Sequence, residues 1–367
     1  MKKNLRSKIL LCVFAGGVLA ANTALANSIG TVIVDGEPKT IDVSKDYSIG
    51  SNYAENVQIT SDSGYSLYID SATKGTINGQ QLTVNGQTFF TGSGVELAIG
   101  TKGVTNTVSI NSSNKYVVFS GYGAKVNTEN ININSYADFV APAVWGEGGG
   151  FISLNGENIN INAKNYGLIA FSGSELNVNG NLVVNVVNAK NAIDTRGNAI
   201  ININTDGKHT TVLNGDIVFE TPYTDSGSVI NSNININLSG EESSWTGRAY
   251  QEYNVKVENE SGGYELIYSA ELDAPDYCGD VTGFKMNIND GASWNMTGDS
   301  FINNITVENG GVVNVQEGVK EFNIGTAADA GGIRLNNGVI NLQGESQQIT
   351  VTELDGTGGT VNTNSIN

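Results

Sequence analysis

The chain has 367 residues, and its 37 Asp and Glu against 19 Lys and Arg give a net charge of −18 at neutral pH. This balance argues against nucleic acid as a partner, because phosphates attract a positive surface. Glycine is abundant, with 46 residues, proline is scarce, with 4, and no long pattern of helical spacing follows the first 26 residues. The composition therefore predicts an all-β protein.

A secretory signal peptide is predicted over residues 1–26. Basic residues crowd into the first eight positions, and residues 9–21 then form a mostly apolar run. That run is shorter than the roughly 20 residues that a membrane-spanning helix needs. Ala24 and Ala26 supply the small-x-small pattern that signal peptidase recognises. We therefore expect export through the inner membrane and a mature chain that begins at Asn27, with an uncleaved anchor as the alternative.

A phrase of alternating apolar residues and asparagine recurs along the mature chain. Versions of it occupy residues 130–134, 158–162, 176–188, 200–204 and 233–238. Alternation with period two lets a strand bury one face and expose the other. The copies start roughly 20 to 30 residues apart, which is the length of one solenoid coil. The repeat predicts a right-handed, single-stranded parallel β-helix, with regular repeats over residues 27–240.

A string of immunoglobulin-like sandwiches is the alternative fold, because Asn–Gly pairs such as Asn179–Gly180 are typical of hairpins. Sandwich modules would repeat at about 100 residues, far more than the spacing here. Stacked coils also explain asparagine in strands, since identical amides about 4.8 Å apart bond along a ladder. The β-helix is favoured, with about 14 to 17 coils of roughly 20 to 25 residues. The predicted core residues are Ile131, Ile133, Ile159, Ile161, Val184, Val186, Ile201, Ile203, Ile234 and Ile236.

Two segments interrupt this rhythm. Residues 241–283 are less regular and contain Tyr250, Tyr253, Tyr264, Tyr268 and Tyr277 with Asp273, Asp276 and Asp280. The segment is predicted to be either a loop or hairpin that offers aromatic contacts to a sugar or protein, or longer strands that cover one flank of the rod. The second interpretation is favoured. Trp145, with the glycine-rich residues 146–150, is another candidate protrusion.

Residues 284–367 carry a more specific pattern. It begins with Gly291-Ala-Ser-Trp294-Asn-Met-Thr-Gly298-Asp-Ser300, continues with FINNITVENGGVVNV, and ends with Leu354-Asp-Gly-Thr-Gly-Gly359. The earlier Ser243-Ser-Trp245-Thr-Gly247 is similar to its first part. The pattern resembles the C-terminal part of pertactin-like passenger domains of bacterial autotransporters. In that family a GAxWxxTGxS turn precedes a short strand pair and, later, an LxGxGG element.

The resemblance implies a β-helical rod that crosses the outer membrane of a diderm bacterium by type V secretion, with last coils that help the rest to fold. It implies two partners, an outer-membrane translocator barrel and a glycan or protein on a host or bacterial surface. No series of barrel strands follows Leu354–Gly359, so the expectation is a truncated product or a separate anchor. The expected location is the cell surface, the outer membrane or the medium, or the periplasm if the barrel is missing.

Parallel β-helices also include polysaccharide-cleaving enzymes, which makes catalytic carboxylates a competing expectation. Asn204–Gly207 resembles the NTD element of polygalacturonases, but the Asp pair, the Gly-His-Gly and the Arg-x-Lys of those enzymes are missing from residues 27–367. His209, the only histidine, lacks flanking glycines, and the sequence has no Gly-x-Ser-x-Gly nucleophile elbow to place a serine beside it. A turn is therefore predicted at residues 204–207. No catalytic, cofactor-binding or metal-binding residue is predicted anywhere in the chain. The predicted function is a non-enzymatic, adhesin-like passenger, and the alternative is a glycan-active hydrolase or lyase.

Overall fold

A computed structural model describes most of the chain after the predicted signal peptide. The described residues are 28–50, 55–61, 66–69, 74–85, 89–91, 96–101, 105–112, 119–136, 142–171, 173–188, 191–221, 232–258, 264–271, 283–325 and 331–363. The predicted signal peptide, with Ala24 and Ala26, lies outside them. Within these ranges there is no α-helix, and so no helix with the length and hydropathy to cross a bilayer. The all-β prediction is confirmed.

The described residues form 35 strands. They are β1 (Ser28–Ile29), β2 (Thr31–Val34), β3 (Glu37–Lys39), β4 (Tyr47–Ile49), β5 (Asn56–Thr60), β6 (Leu67–Ile69), β7 (Lys74–Ile77), β8 (Gln81–Asn85), β9 (Phe89–Thr91), β10 (Glu96–Ile99), β11 (Thr107–Ser112), β12 (Phe119–Asn127), β13 (Asn130–Ser135), β14 (Pro142–Ala163), β15 (Tyr166–Phe171), β16 (Glu175–Val186), β17 (Asn191–Arg196) and β18 (Ile200–Ile203). They continue with β19 (Thr211–Asn214), β20 (Asp216–Thr221), β21 (Asn233–Ser239), β22 (Ser244–Gly247), β23 (Ala249–Glu258), β24 (Tyr264–Glu271), β25 (Phe284–Asn289), β26 (Ser293–Met296), β27 (Ser300–Ile302), β28 (Asn304–Glu308), β29 (Val312–Val315), β30 (Glu321–Ile324), β31 (Gly332–Asn336), β32 (Val339–Leu342), β33 (Gln348–Val351), β34 (Glu353–Asp355) and β35 (Thr360–Thr363).

Parallel pairing arranges these strands in three walls. Wall A contains β4, β7, β10, β18, β21, β25, β28, β31 and β34, with parts of β12, β14 and β16. Wall B contains β5, β8, β11, β13, β19, β22, β26, β29, β32 and β35, with the last parts of β14 and β16. Wall C contains β6, β9, β15, β17, β20 and β23, with the first parts of β12 and β14.

The chain visits walls A, B and C in rotation. β14 shows this within one strand, because it contributes residues 144–146 to wall C, 151–155 to wall A and 158–163 to wall B. Beyond β23 the third position in the rotation is taken by β27, β30 and β33, which form a separate parallel sheet. This connectivity is that of a stacked coil and not of antiparallel sandwiches. The predicted parallel β-helix is confirmed.

Alternate residues of most strands in walls A and B point into one continuous apolar core. In wall B, Ile133 of β13 pairs with Ile161 of β14, and Ile161 pairs with Val184 of β16, so like side chains stack from coil to coil. All ten predicted core residues are buried, with Ile131, Ile133 and eight others at most 6% exposed. Burial of this kind is the main favourable term in folding. The period-two reading of the asparagine phrases is therefore correct.

The predicted number of coils is wrong. Among the described residues, wall B holds twelve parallel strands, namely β5, β8, β11, β13, β14, β16, β19, β22, β26, β29, β32 and β35. The coils are longer than expected, because insertions at the corners lengthen them. Asn185 and Asn214 occupy equivalent positions 29 residues apart, and Asn237 and Asn289 are 52 residues apart.

The Asn–Gly pairs lie at corners of the coils. Asn179–Gly180 separates the wall A part of β16 from its wall B part, and Asn214–Gly215 separates β19 from β20. A Cβ at Gly180 would lie 2.2 Å from the carbonyl oxygen of Gly156 in the preceding coil, so only glycine fits this corner. Asn–Gly therefore turns the chain between parallel walls here, and the sandwich alternative loses its main support.

The first coil has an antiparallel cap. β2 pairs antiparallel with β5 and with β3, through a turn in which Asp35 and Gly36 have φ of 50° and 83°. Two successive residues of positive φ are typical of the tight turns that match strand twist. β3 places exposed Glu37, Pro38 and Lys39 at the outer edge, where charge and proline prevent further strand pairing. The N-terminal end of the described rod is thereby closed.

Candidate functional site

The outward side of wall B is a continuous surface of uncharged side chains, which we name the asparagine face. Side chains alternate along each strand, so the residues between the buried ones point outward. The face consists of Asn56, Gln58, Thr60, Gln81, Thr83, Asn85, Thr107, Ser109, Asn111, Asn130, Asn132, Asn134, Asn158, Asn160, Asn162, Asn181, Val183, Asn185, Val212, Asn214, Ser244, Thr246, Ser293, Asn295, Val312, Asn314, Val339, Asn341, Thr360 and Asn362.

One row of the asparagine face is an amide ladder. Each Nδ2 donates to the Oδ1 of the asparagine one coil earlier, over 2.7 to 3.2 Å. The bonds run from Asn111 to Asn85, Asn134 to Asn111, Asn162 to Asn134, Asn185 to Asn162, and Asn214 to Asn185. Thr246 occupies the next position. The row resumes with Asn314 to Asn295 at 3.0 Å, Asn341 to Asn314 at 2.9 Å and Asn362 to Asn341 at 2.8 Å.

Two further rows widen the face. Asn158 donates to Asn130 at 3.0 Å, and Asn160 donates to Asn132 at 3.2 Å. In the next two coils the middle row continues with Val183 and Val212, which pair in register. Adjacent rows are separated by two residues along a strand, about 6.6 Å, and neighbouring coils by about 4.8 Å. The face is therefore a regular lattice of amides with a small apolar patch in its middle row.

Each amide in the ladder keeps half of its hydrogen-bonding capacity. An asparagine side chain has two N–H donors and an oxygen with two lone pairs. Asn134 uses one donor toward Asn111 and one acceptor site toward Asn162, and Asn162 bonds in the same way to its own neighbours. These side chains are partly exposed, so the second N–H and the second lone pair remain for solvent or a ligand. The asparagine face thus presents donors and acceptors at a fixed spacing.

The asparagine face carries no formal charge. None of the twelve described strand segments of wall B contains Asp, Glu, Lys, Arg or His. The strands of wall A contain both signs, for example Lys74, Glu96 and Lys285, and those of wall C include Asp194 and Glu220. In a chain with a net charge of −18, this is a clear local exception. The described acidic residues lie outside these strands, including at the corners, where Glu55, Glu129 and Glu157 directly precede wall B strands.

Wall A has its own amide ladder in a charged setting. Asn202 donates to Asn177 at 2.8 Å, and Asn235 donates to Asn202 at 2.8 Å. Asn177 also donates to the carboxylate of Glu175 at 2.8 Å. The ladder bond is therefore a general stabilising device of this fold, while the lack of charge is particular to wall B. Asn235, which makes one such bond on wall A, is the natural reference for substitutions on the asparagine face.

Asn204 of the predicted turn is a structural side chain. It has a positive φ of 47°, which asparagine tolerates, and it is fully buried. Its Oδ1 accepts the N–H of Gly180 at 2.9 Å, and its Nδ2 lies 2.8 Å from both the Gly180 carbonyl oxygen and Thr211 Oγ1. The N–H of Gly207 donates to the Asn204 carbonyl and closes the turn. The turn predicted at residues 204–207 is confirmed.

The neighbouring titratable groups lie at the surface of this turn. The exposed Asp206 accepts the backbone N–H of Lys208 at 3.1 Å and pairs with its ammonium group at 3.1 Å. These contacts, the backbone hydrogen bond first, hold the pKa of Asp206 below its ordinary value. His209 is partly exposed. Within the described residues, no group of three or more His, Cys, Asp or Glu side chains is arranged to hold a metal ion.

The Tyr-rich segment contains an antiparallel hairpin. Residues 249–253 of β23 continue wall C beside β20, and residues 252–258 of β23 pair antiparallel with β24. The described part of the segment therefore combines both interpretations, because β23 first extends a wall and then forms a hairpin with β24. Tyr277, Asp273, Asp276 and Asp280 lie outside the described residues. The domain boundaries at 241 and 283 remain predictions.

Trp145 lies within wall C. It pairs with Ser120 of β12 and Ile169 of β15, so it belongs to a regular strand. Between walls C and A the register shifts, and residues 147–150 of β14 lie opposite the single residue 122 of β12. The glycine-rich stretch is thus a bulge at a corner, and the predicted protrusion does not include the tryptophan.

The two tryptophan motifs of the C-terminal third occupy equivalent positions. Trp245 and Trp294 pair in register, and their rings stack with centroids 4.3 Å apart at an angle of 11°. The indole N–H of each donates to a glycine carbonyl one coil earlier, Trp245 to Gly215 at 2.9 Å and Trp294 to Gly247 at 3.0 Å. Both side chains are fully buried. The similarity between Ser243–Gly247 and the motif that starts at Gly291 is therefore a structural repeat.

Comparisons with known proteins assign no family to this chain. No protein-family model, no curated protein and no solved structure matches it. The parallel β-helix is compatible with a pertactin-like passenger. The resemblance itself depends on the two sequence elements at Gly291–Ser300 and Leu354–Gly359.

Sequence reasoning identified the amide ladder but missed the asparagine face as a surface. The ladder followed from asparagine in strand phrases. The face would have followed from comparing the outward positions of successive phrases, where residues 81–85, 107–112 and 130–134 offer only Asn, Gln, Ser and Thr. That comparison needs the register between coils, which the corner insertions obscure.

Proposed function

We propose that this chain is the exported passenger domain of an autotransporter and that it acts as a non-enzymatic adhesin. In this proposal the signal peptide directs it through the inner membrane, and a translocator barrel carries it to the cell surface or the medium. The support is the combination of a β-helical rod with the pertactin-like elements at Gly291–Ser300 and Leu354–Gly359.

The asparagine face is the observation that carries the adhesive role. It follows twelve coils along one side of the rod, about 53 Å at 4.8 Å per coil. A long face with repeated, identical donors and acceptors suits contact with a long partner at many points, each of them weak. The enzyme alternative has less support, because its best candidate, the element Asn204–Gly207, is a turn: Asn204 is buried and hydrogen-bonded to Gly180 and Thr211, and the carboxylate of Asp206 is paired with Lys208.

The experiment uses the mature chain, residues 27–367, fluorescently labelled and added to bacterial and epithelial cells. We expect saturable binding to at least one cell type. The same preparation is incubated with pectin and with neutral polysaccharides, and reducing ends are measured. Release of reducing ends would favour the hydrolase or lyase. If the protein bound no cell and released no reducing ends, the adhesin proposal would be overturned.

Export is tested separately with the signal sequence fused to periplasmic alkaline phosphatase. We expect enzyme activity and a processed product whose N-terminus follows Ala26. Ala24→Asp should block processing, because signal peptidase requires a small residue there. An unprocessed but active fusion would indicate the uncleaved anchor instead.

A further inference from the structure

We propose that the asparagine face binds a neutral polysaccharide that lies along the rod. This inference depends on the proposed function, because it names the chemical class that the adhesin contacts. Three properties of the face lead to it: its lack of charge, its unused hydrogen-bonding groups, and the side chains that it does not contain.

The charge distribution selects an uncharged partner. The described strands of wall B carry no ionisable side chain, although the whole chain has a net charge of −18. A basic partner would find complementary carboxylates elsewhere on the rod, and an acidic polymer would be repelled by the protein as a whole. A neutral polymer gains nothing from the acidic surfaces and can meet the asparagine face without desolvating a charge.

The amide lattice matches hydroxyl groups. A sugar hydroxyl both donates and accepts, and each ladder amide, such as Asn134 or Asn162, offers one of each toward solvent. A glycan chain repeats its hydroxyls along its length, and the face repeats its amides along the rod. The ladder also fixes the side-chain conformations in advance, so binding loses less conformational entropy.

The side-chain composition favours a glycan over a protein. Protein hot spots are enriched in Trp, Tyr and Arg. The described outward positions of wall B contain none of these and no other large side chain. The only apolar members are valines, of which Val183 and Val212 form one patch and Val312 and Val339 pair in register as another. Such small patches suit the C–H surfaces of sugar rings.

The test is native gel electrophoresis through gels that contain one polysaccharide each. The probes are neutral amylose, dextran, galactomannan, xyloglucan and yeast mannan, with polygalacturonate and alginate as acidic references. We expect at least one neutral probe to retard the wild-type mature chain and the acidic probes to leave its mobility unchanged. The dissociation constant should be the same at about 0.05 and 0.5 M NaCl, because no ion pairs form.

Two matched pairs of variants place the binding on the asparagine face. Asn160→Glu removes one amide–amide bond and adds a carboxylate, and Asn235→Glu does the same on wall A. Val183→Glu adds the charge without touching the ladder, and outward-facing Ile200→Glu on wall A is its control. Far-UV circular dichroism confirms that each variant is folded. We expect the two wall B variants to weaken retardation at least about tenfold, since a carboxylate is desolvated under the glycan, and the two controls to bind normally.

The results separate this inference from the proposed function. The inference would be overturned if the wall A and wall B variants lost binding equally. It would also be overturned if acidic probes retarded the chain as much as neutral ones, or if no neutral probe retarded it. If labelled protein still bound cells after periodate had destroyed their glycans, the adhesin proposal would stand while the glycan inference failed. If neutral probes retarded the chain but no cell bound it, the adhesin proposal would fail and the glycan site would stand.

Discussion

Replacing Trp294 with alanine should destabilise the C-terminal coils by about 5 kcal/mol. Truncating a buried tryptophan costs roughly 3 to 5 kcal/mol through lost burial and the cavity that remains. Trp294 also stacks on Trp245 and meets the edge of Phe322, with centroids 5.3 Å apart at 87°. Each aromatic pair adds about 0.5 to 1.5 kcal/mol, and the bond to the Gly247 carbonyl adds about 1 kcal/mol. These contributions overlap, so the expected total is below their sum.

The measurement is a urea titration followed by far-UV circular dichroism, because removing a tryptophan alters the fluorescence signal itself. Trp294→Phe is the matched control. It keeps an aromatic ring between Trp245 and Phe322 and loses only the N–H bond and some area, so it should cost about 1 to 2 kcal/mol. If the free energy of unfolding of Trp294→Ala lay within about 1 kcal/mol of the wild-type value, the aromatic stack would not stabilise these coils.

Two other predictions concern folding and the coil corner. Ile305→Asp should slow refolding from urea more than Ile59→Asp, because the last coils are proposed to template the others, and equal stopped-flow rates would contradict templating. Asn204→Ala should lower the free energy of unfolding by about 3 kcal/mol, since it leaves buried backbone groups of Gly180 unpaired at a strained turn. Exposed Asp206→Ala is its control, and a cost within about 0.5 kcal/mol of that control would refute the role of Asn204.

The fold could be predicted from the sequence because the same alternation of apolar and polar residues recurs in strand after strand. Strict alternation around Ile131, Ile133, Ile159 and Ile161 leaves only one face for burial, and the short period between copies excludes independent domains. All of the predicted core residues are therefore correct. The Asn–Gly pairs needed a choice between hairpin and corner, and the short repeat favoured the corner.

The number of coils and the uncharged surface could not be predicted in the same way. Both depend on which residues lie beside each other in successive coils. Corner insertions such as residues 147–150 and the β23–β24 hairpin change the coil length without changing the strand phrases. The stacked tryptophans are the informative exception, because Trp245 and Trp294 share a motif and its alignment sets their register.

The central claim is that asparagines of successive coils lie side by side on wall B. Asn132 and Asn160 pair in register, so their Cα atoms lie about 4.8 Å apart, and a disulfide accepts Cα distances of roughly 4.4 to 6.8 Å. Cys278 is the only cysteine of residues 27–367, so in a Cys278→Ser background the Asn132→Cys/Asn160→Cys variant of the mature chain should oxidise readily. The Asn132→Cys/Asn162→Cys variant, offset by two residues to about 8 Å, should retain free thiols. Equal disulfide yields in the two variants, measured by thiol titration and mass spectrometry, would contradict the stacked asparagine face.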